Sequence, residues 1–164
     1  MMRLWSHLRR LRNQEDGSAL VEFAFVLPLM LLIFAVTIEG SRTFWAYQTT
    51  IAGVRDATRF IARAEPAEVC SQGGDLSHWN QRATDIVRNS SAGTNLFPTS
   101  ITVTSVTPTL TCVTGNYTLT QVPLATVTAQ LEISYPFSGF FGFFNLQLPS
   151  VNTTVTDTGR IFGA

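Results

Sequence analysis

The sequence predicts an α+β chain: one long N-terminal helix that crosses a membrane, then a small domain with one helix and an antiparallel sheet. Three observations predict it. Residues 18–38 are apolar at 17 of 21 positions, and Glu22 is the one charge among them. Helical periodicity continues beyond that run, with Tyr47, Ile51, Val54, Thr58 and Ile61 on one stripe. After Pro98 the period falls to two, most clearly over residues 125–135, where apolar and polar side chains alternate without a break.

The chain has 164 residues, enough for one domain and an anchor. Its formal charge is zero, so no global field draws it to nucleic acid, and no nucleic-acid module is visible. All eleven basic residues are arginine. Thr, Ser, Asn and Gly crowd the second half while charge thins out, a composition usual for secreted β-domains.

Residues 1–16 are short, basic and polar, with Arg3, Arg9, Arg10 and Arg12, and read with Gly17 as a leader over 1–17. The helix is expected from Ser18 to about Ala64, roughly 70 Å at about 1.5 Å per residue. Its part over 18–39 matches the roughly 30 Å hydrocarbon core of a bilayer. Pro28 lacks an amide hydrogen and should kink or loosen it; Gly40 and Gly53 are weaker softening points, and Glu65-Pro66 ends it. Arg55, Arg59 and Arg63 recur every four residues, as a solvated face or as partners for carboxylates of a neighbouring subunit.

Residues 65–164 form the remaining α+β domain. A loop with Cys70 and Gly73-Gly74 precedes a second helix carrying Leu76, Trp79, Ala83, Ile86 and Val87, capped by Asp75 or Ser77 and ending near Asn89-Ser90. Trp79 reads as a core anchor. Strand segments follow at Ile101–Thr104 and Leu110–Cys112, with a turn at Gly115-Asn116 and a return through Tyr117–Leu119. Ala125, Val127, Ala129, Leu131, Ile133 and Tyr135 give one buried face, packed on the long helix; Val151, Thr153 and Val155 suggest a last strand. Phe137, Phe140, Phe141, Phe143 and Phe144 are too dense for an exposed loop. Filling the core, meeting another subunit and dipping into a membrane surface all remain open for them.

Four arginines precede the apolar run, against Arg42 and Arg55 soon after it, so the N-terminus is expected in the cytoplasm and the bulk outside. In an oxidising compartment Cys70 and Cys112 would pair; two free thiols in a reducing cytosol is the alternative. A small-x-small site for an ordinary secretory signal is poor, its best candidate being Ala35-Val36-Thr37. Arg9-Arg10 fits a twin-arginine signal badly, with Glu15-Asp16 close behind.

Glu22 asks for a reason, since a carboxylate at the centre of a membrane helix costs on the order of 3 kcal/mol, a penalty that snorkelling from its place near the cytoplasmic end reduces but does not explain. Cleavage after Gly17 would supply one. Ser18 would become the N-terminus, with its ammonium one helical turn before Glu22, able to pair with that carboxylate or with a neighbouring copy's. A basic leader, Gly at the cut and Glu at the fifth mature position resemble the prepilin-type signal of type IV pilins. The fuller run from Gly17 through Pro28 to Glu39-Gly40-Ser41-Arg42 resembles the TadE-like family of tight-adherence, Flp-type pilus systems; Tyr135-Pro136-Phe137 adds a little to that likeness. The resemblance covers about residues 14–64. It implies a minor pilin or pseudopilin, processed by a prepilin peptidase at Gly17/Ser18, held in the bacterial inner membrane, and meeting other pilus subunits through the N-terminal helix. The major Flp pilins resemble little more than this helix, so a chain with an added domain is expected as a minor component. The competing reading is an uncleaved, signal-anchored extracytoplasmic binding domain, which needs neither Gly17 nor Glu22.

No enzyme is expected. His7 lies in the leader and His78 stands alone. Ser77 beside it cannot form a triad, because adjacent helix residues point apart. Two cysteines and His78 give no metal-ligand spacing, and no phosphate-cradling glycine loop occurs. The sequons at Asn89, Asn116 and Asn152 are expected by chance in Thr-rich sequence. No cofactor, metal, small-molecule substrate or nucleic acid is expected as a partner.

Overall fold

A computed structural model describes residues 16–115, 121–142 and 145–163. Arg3, Arg9, Arg10, Arg12 and His7 lie outside the described residues, as do Asn116, Tyr117–Leu119, Phe143 and Phe144. The chain divides into two compact units between Glu39 and Gly40.

Helix α1 spans Asp16–Ala64, 49 residues, and contains Pro28 without interruption. It ends at Ala64 because Glu65 precedes Pro66, whose ring disfavours helical geometry in the residue before it. In the first unit, the side chains of residues 17–31 are all exposed.

The second unit is built on a three-stranded antiparallel sheet, β1 (Ile101–Thr114), β2 (Gln121–Ile133) and β3 (Val151–Arg160), with β2 in the middle. One face of β2 is buried at Ala125, Val127, Ala129, Leu131 and Ile133, as its alternation requires. The strand stops at Ile133, so Tyr135 lies beyond it, only partly buried. Against this face α1 sets Ala46, Val54, Ala57 and Ile61, and one continuous core results. Burying a side chain such as Ile61 or Leu131 contributes about 1.5–3 kcal/mol. Thr50 and Thr58 share the buried stripe because each hydroxyl donates one turn back, to Ala46 O (2.8 Å) and Val54 O (2.9 Å). On the opposite, wet face, Thr126 meets Thr158 (3.0 Å) and Thr128 meets Thr156 (3.3 Å) across β2 and β3.

Instead of two strand segments, Ile101–Thr104 and Leu110–Cys112, β1 is one 14-residue strand. Its register slips between Val103 and Ser105. The extra residue moves the buried positions from Ile101 and Val103 to Val106 and Pro108, so the two halves alternate out of phase yet face the same core. Pro108 is accommodated because β1 is an edge strand with a partner on one side only.

The second helix also starts differently. Its first turn is 3₁₀, Ser77–Trp79, and α2 proper covers Asn80–Arg88. Asp75 organises the entry: Oδ1 accepts from Ser77 Oγ (2.6 Å) and Ser77 N (2.9 Å). The Ser77 hydroxyl, then the Ser77 amide, with a smaller contribution from His78, hold this exposed carboxyl below the ordinary aspartate value. Ala83 and Val87 are the buried side of α2. A last short helix, α3 (Ser138–Gly142), sits in the β2–β3 connection and buries Phe141, while Phe137 stays 39 % exposed.

Three contacts orient α1 along the sheet. Arg42 donates to Ser100 Oγ, Tyr47 and Thr153 join through their hydroxyls, and Phe162 N donates to Ala62 O (2.9 Å). β3 therefore runs beside α1 in the same direction. The Gly40 end of the domain carries the start of β1, the end of β2 and the start of β3, with Ile101 opposite Ile133 and Ile133 opposite Val151. The other end carries Cys70 and Cys112.

Candidate functional site

The residues singled out as a processing and assembly site fall on the first turns of α1. Gly17, Ser18 and Glu22 are helical and exposed, and Ser18 and Glu22 are one turn apart on one face. Around them the helix is apolar on every side: Leu20 is 71 % exposed and Phe25 79 %. Only 6 % of the most apolar 18-residue window is buried. A helix that is apolar all round and uncovered differs from the core helix of a globular domain, which hides its stripe against neighbours. Among the described residues this is the one helix long and apolar enough to cross a membrane. An added Cβ at Gly17 would meet nothing within 4 Å, so the fold itself does not require glycine there.

Cys70 and Cys112 belong to a separate place, in the second unit, where they form a disulfide with Cα atoms 5.9 Å apart. It ties the loop after α1 to the far end of β1, across a sequence separation of 42. The Arg55, Arg59 and Arg63 side chains are exposed on α1, opposite the buried stripe of Val54, Thr58 and Ile61.

Two features escaped sequence reasoning. Glu65 is buried, and its Oε2 accepts from Trp79 Nε1 (2.6 Å) while His78 Nε2 lies 3.0 Å away. Trp79 also meets Phe60 edge-on, with ring centroids 5.3 Å apart. Trp79 is thus an anchor, as its apolar spacing implies, with a polar tie no spacing reveals. The second feature is Gly53. A Cβ there would lie 3.0 Å from Val87 Cα, so α1 and α2 touch backbone to backbone. The one hint was a glycine inside an otherwise regular helix, which costs about 1 kcal/mol and so suggests a packing reason.

A cleft of about 590 Å³ beside α2 is lined by Asp56, Arg82, Asp85 and Asn89 among others. Among the described residues no group of three or more His, Cys, Asp or Glu side chains could hold a metal ion.

The family model described as TadE-like protein matches residues 17–59, beginning at Gly17 and covering most of α1. No curated protein and no solved structure matches the chain. The family match and the exposed apolar helix fit a membrane-anchored component of a tight-adherence pilus system.

Proposed function

We propose that the chain is a minor pilin or pseudopilin of a tight-adherence, Flp-type pilus, made with a leader over residues 1–17 and cut after Gly17 by a prepilin peptidase. The observation that carries this reading is Gly17, Ser18 and Glu22 at the head of an apolar helical stretch whose residues 17–31 are all exposed. Such a surface is stable in a bilayer as a monomer and equally suited to pack against like helices in a filament core. The freed Ser18 ammonium and a Glu22 carboxylate then offer each other a partner in a medium that penalises unpaired charge.

The helix spans the bacterial inner membrane over 18–39, with the N-terminus cytoplasmic and residues 65–164 extracytoplasmic. Two observations support that orientation: four arginines precede the apolar run, and a disulfide occurs beyond it. The chain acts by binding other pilus subunits through α1 and performs no catalysis.

Co-expression with a prepilin peptidase of a matching system tests the proposal. Intact-mass measurement of the membrane-extracted protein should show a chain beginning at Ser18. Retention of Met1–Gly17 under those conditions would leave the uncleaved anchor as the better reading.

A further inference from the structure

The apolar surface of the second unit is unevenly distributed. Beyond Glu39, eight large hydrophobic side chains are well exposed among the described residues. Two of them, Val113 and Phe162, are at the disulfide end. The other six, Phe44, Trp45, Phe137, Leu146, Leu148 and Val151, gather at the Gly40 end. Strand register puts them there. Ile133 pairs with Val151, so the connection between them, with Phe137, Leu146 and Leu148, is confined to that end of the sheet. Phe44 and Trp45 lie between Arg42, bound to Ser100, and Tyr47, bound to Thr153, at the same end. Trp45 faces Phe97 with ring centroids 6.4 Å apart.

The connection itself is uncharged, with Arg42 and the exposed Glu132, opposite Asn152, at its edge. No Asp, Glu, Lys or Arg occurs from Ile133 through Thr156, so the connection presents apolar and neutral polar groups alone. A surface of that kind facing water is a liability; facing a bilayer's headgroup layer it is a fit.

We infer that the Gly40 end of the domain binds the headgroup layer of a phospholipid membrane, with Phe44, Trp45, Leu146 and Leu148 inserted in it. The inference rests on the anchor reading above. Distance along the chain supplies the occupant. Phe44 and Trp45 come only five and six residues after Glu39 at the end of the apolar run, so the chain itself keeps them close to the membrane that run enters. The interfacial layer is about 5–8 Å deep on each side of the core, and Trp is enriched in it. The exposed residues that share this end of the domain with Phe44 and Trp45 are therefore the ones nearest the point where the chain leaves its apolar run.

The test places p-benzoylphenylalanine, one site at a time, at positions 44, 146 and 148 of the full chain. Position 25 serves as the membrane control and position 113 as the distal control. The protein is reconstituted in phosphatidylethanolamine–phosphatidylglycerol vesicles, irradiated and weighed by intact-mass spectrometry. The expected result is a mass shift of one phospholipid at 25, 44, 146 and 148, and none at 113. Lipid adducts at 25 but not at 146 and 148 would overturn the inference and leave the anchor standing. Adducts between two copies of the chain at 146 or 148 would overturn it in favour of a protein contact, and lipid adducts at 113 would show that labelling is indiscriminate. Absence of lipid at 25 would overturn the anchor reading itself, and this inference with it.

Discussion

Gly40 and Gly53 sit in the same helix and look alike in sequence, yet alanine at the two positions should act with opposite sign. In a helix interior alanine is favoured over glycine by about 1 kcal/mol. At Gly40 an added Cβ meets nothing within 4 Å, so Gly40→Ala should keep most of that gain. At Gly53 the Cβ would lie 3.0 Å from Val87 Cα and 3.3 Å from Val87 O. Those are backbone atoms that cannot rotate aside, so α2 must move away from α1, and overpacking of that kind costs about 1–3 kcal/mol. The balance for Gly53→Ala is a loss of about 0–2 kcal/mol, leaving the two variants about 1–3 kcal/mol apart. Urea unfolding of the full chain in mild detergent, followed by tryptophan fluorescence, measures the difference; at a slope of about 2 kcal/mol/M, a gap of 2 kcal/mol moves the midpoint by about 1 M. Trp79 lies in the 3₁₀ turn that leads into α2, so its emission should follow that helix. Equal gains at both positions would refute a tight α1–α2 contact. Gly53→Val should then also be tolerated, whereas the structure predicts that it is worse than alanine.

Replacing both Cys70 and Cys112 by serine removes a link with a sequence separation of 42 and should cost up to about 4 kcal/mol, read as a urea-midpoint drop that dithiothreitol reproduces in wild type. An unchanged midpoint would mean that the denatured chain is held together by something else. Glu65→Ala leaves the Trp79 indole N–H without its acceptor and should cost about 1–3 kcal/mol, while Glu65→Gln retains an acceptor and should cost less. Equal losses in the two variants would contradict the hydrogen-bond account. Glu22→Ala and Glu22→Gln should insert and be cut like wild type, but reduce crosslinking of the mature helix to other pilus components and lower surface pilus yield. Normal crosslinks and yield in both would show that Glu22 does not pair with a freed amine.

How much of this was legible in the sequence depended on whether a property is local. The long helix was, because its evidence is an unbroken apolar run and a stripe through Val54, Thr58 and Ile61 that the core indeed buries. β2 was, since every second residue from Ala125 to Ile133 is buried. β1 was read as two pieces because its bulge at Thr104 puts Val106 and Pro108 out of phase with Ile101 and Val103, and a period-2 search stops at such a slip. The Glu65–Trp79 bond lay beyond reach for another reason. A carboxylate beside a proline and a tryptophan 14 residues later have no periodic relation; the turn at Gly73, with φ of +64°, is part of the path that brings them together.

The candidate site divides in the same way. Gly17, Ser18 and Glu22 form a local pattern on one helix, readable without any tertiary structure. The apolar end of the domain is not local: Phe44 and Leu146 are about a hundred residues apart, and Phe137 alone does not say which way its loop faces. Pairing Ile133 with Val151, and Tyr47 with Thr153, decides it. Once the antiparallel register and the parallel run of α1 and β3 are known, the uncharged connection has one end of the sheet available to it. That is the end where the chain enters from its apolar helix. The phenylalanine cluster, which admitted a core, a subunit or a membrane role from sequence, is thereby split: Phe141 is buried, and Phe137 stays partly open toward the end of the domain nearest Gly40. The same register that builds the core thus selects which apolar residues are left exposed at that end.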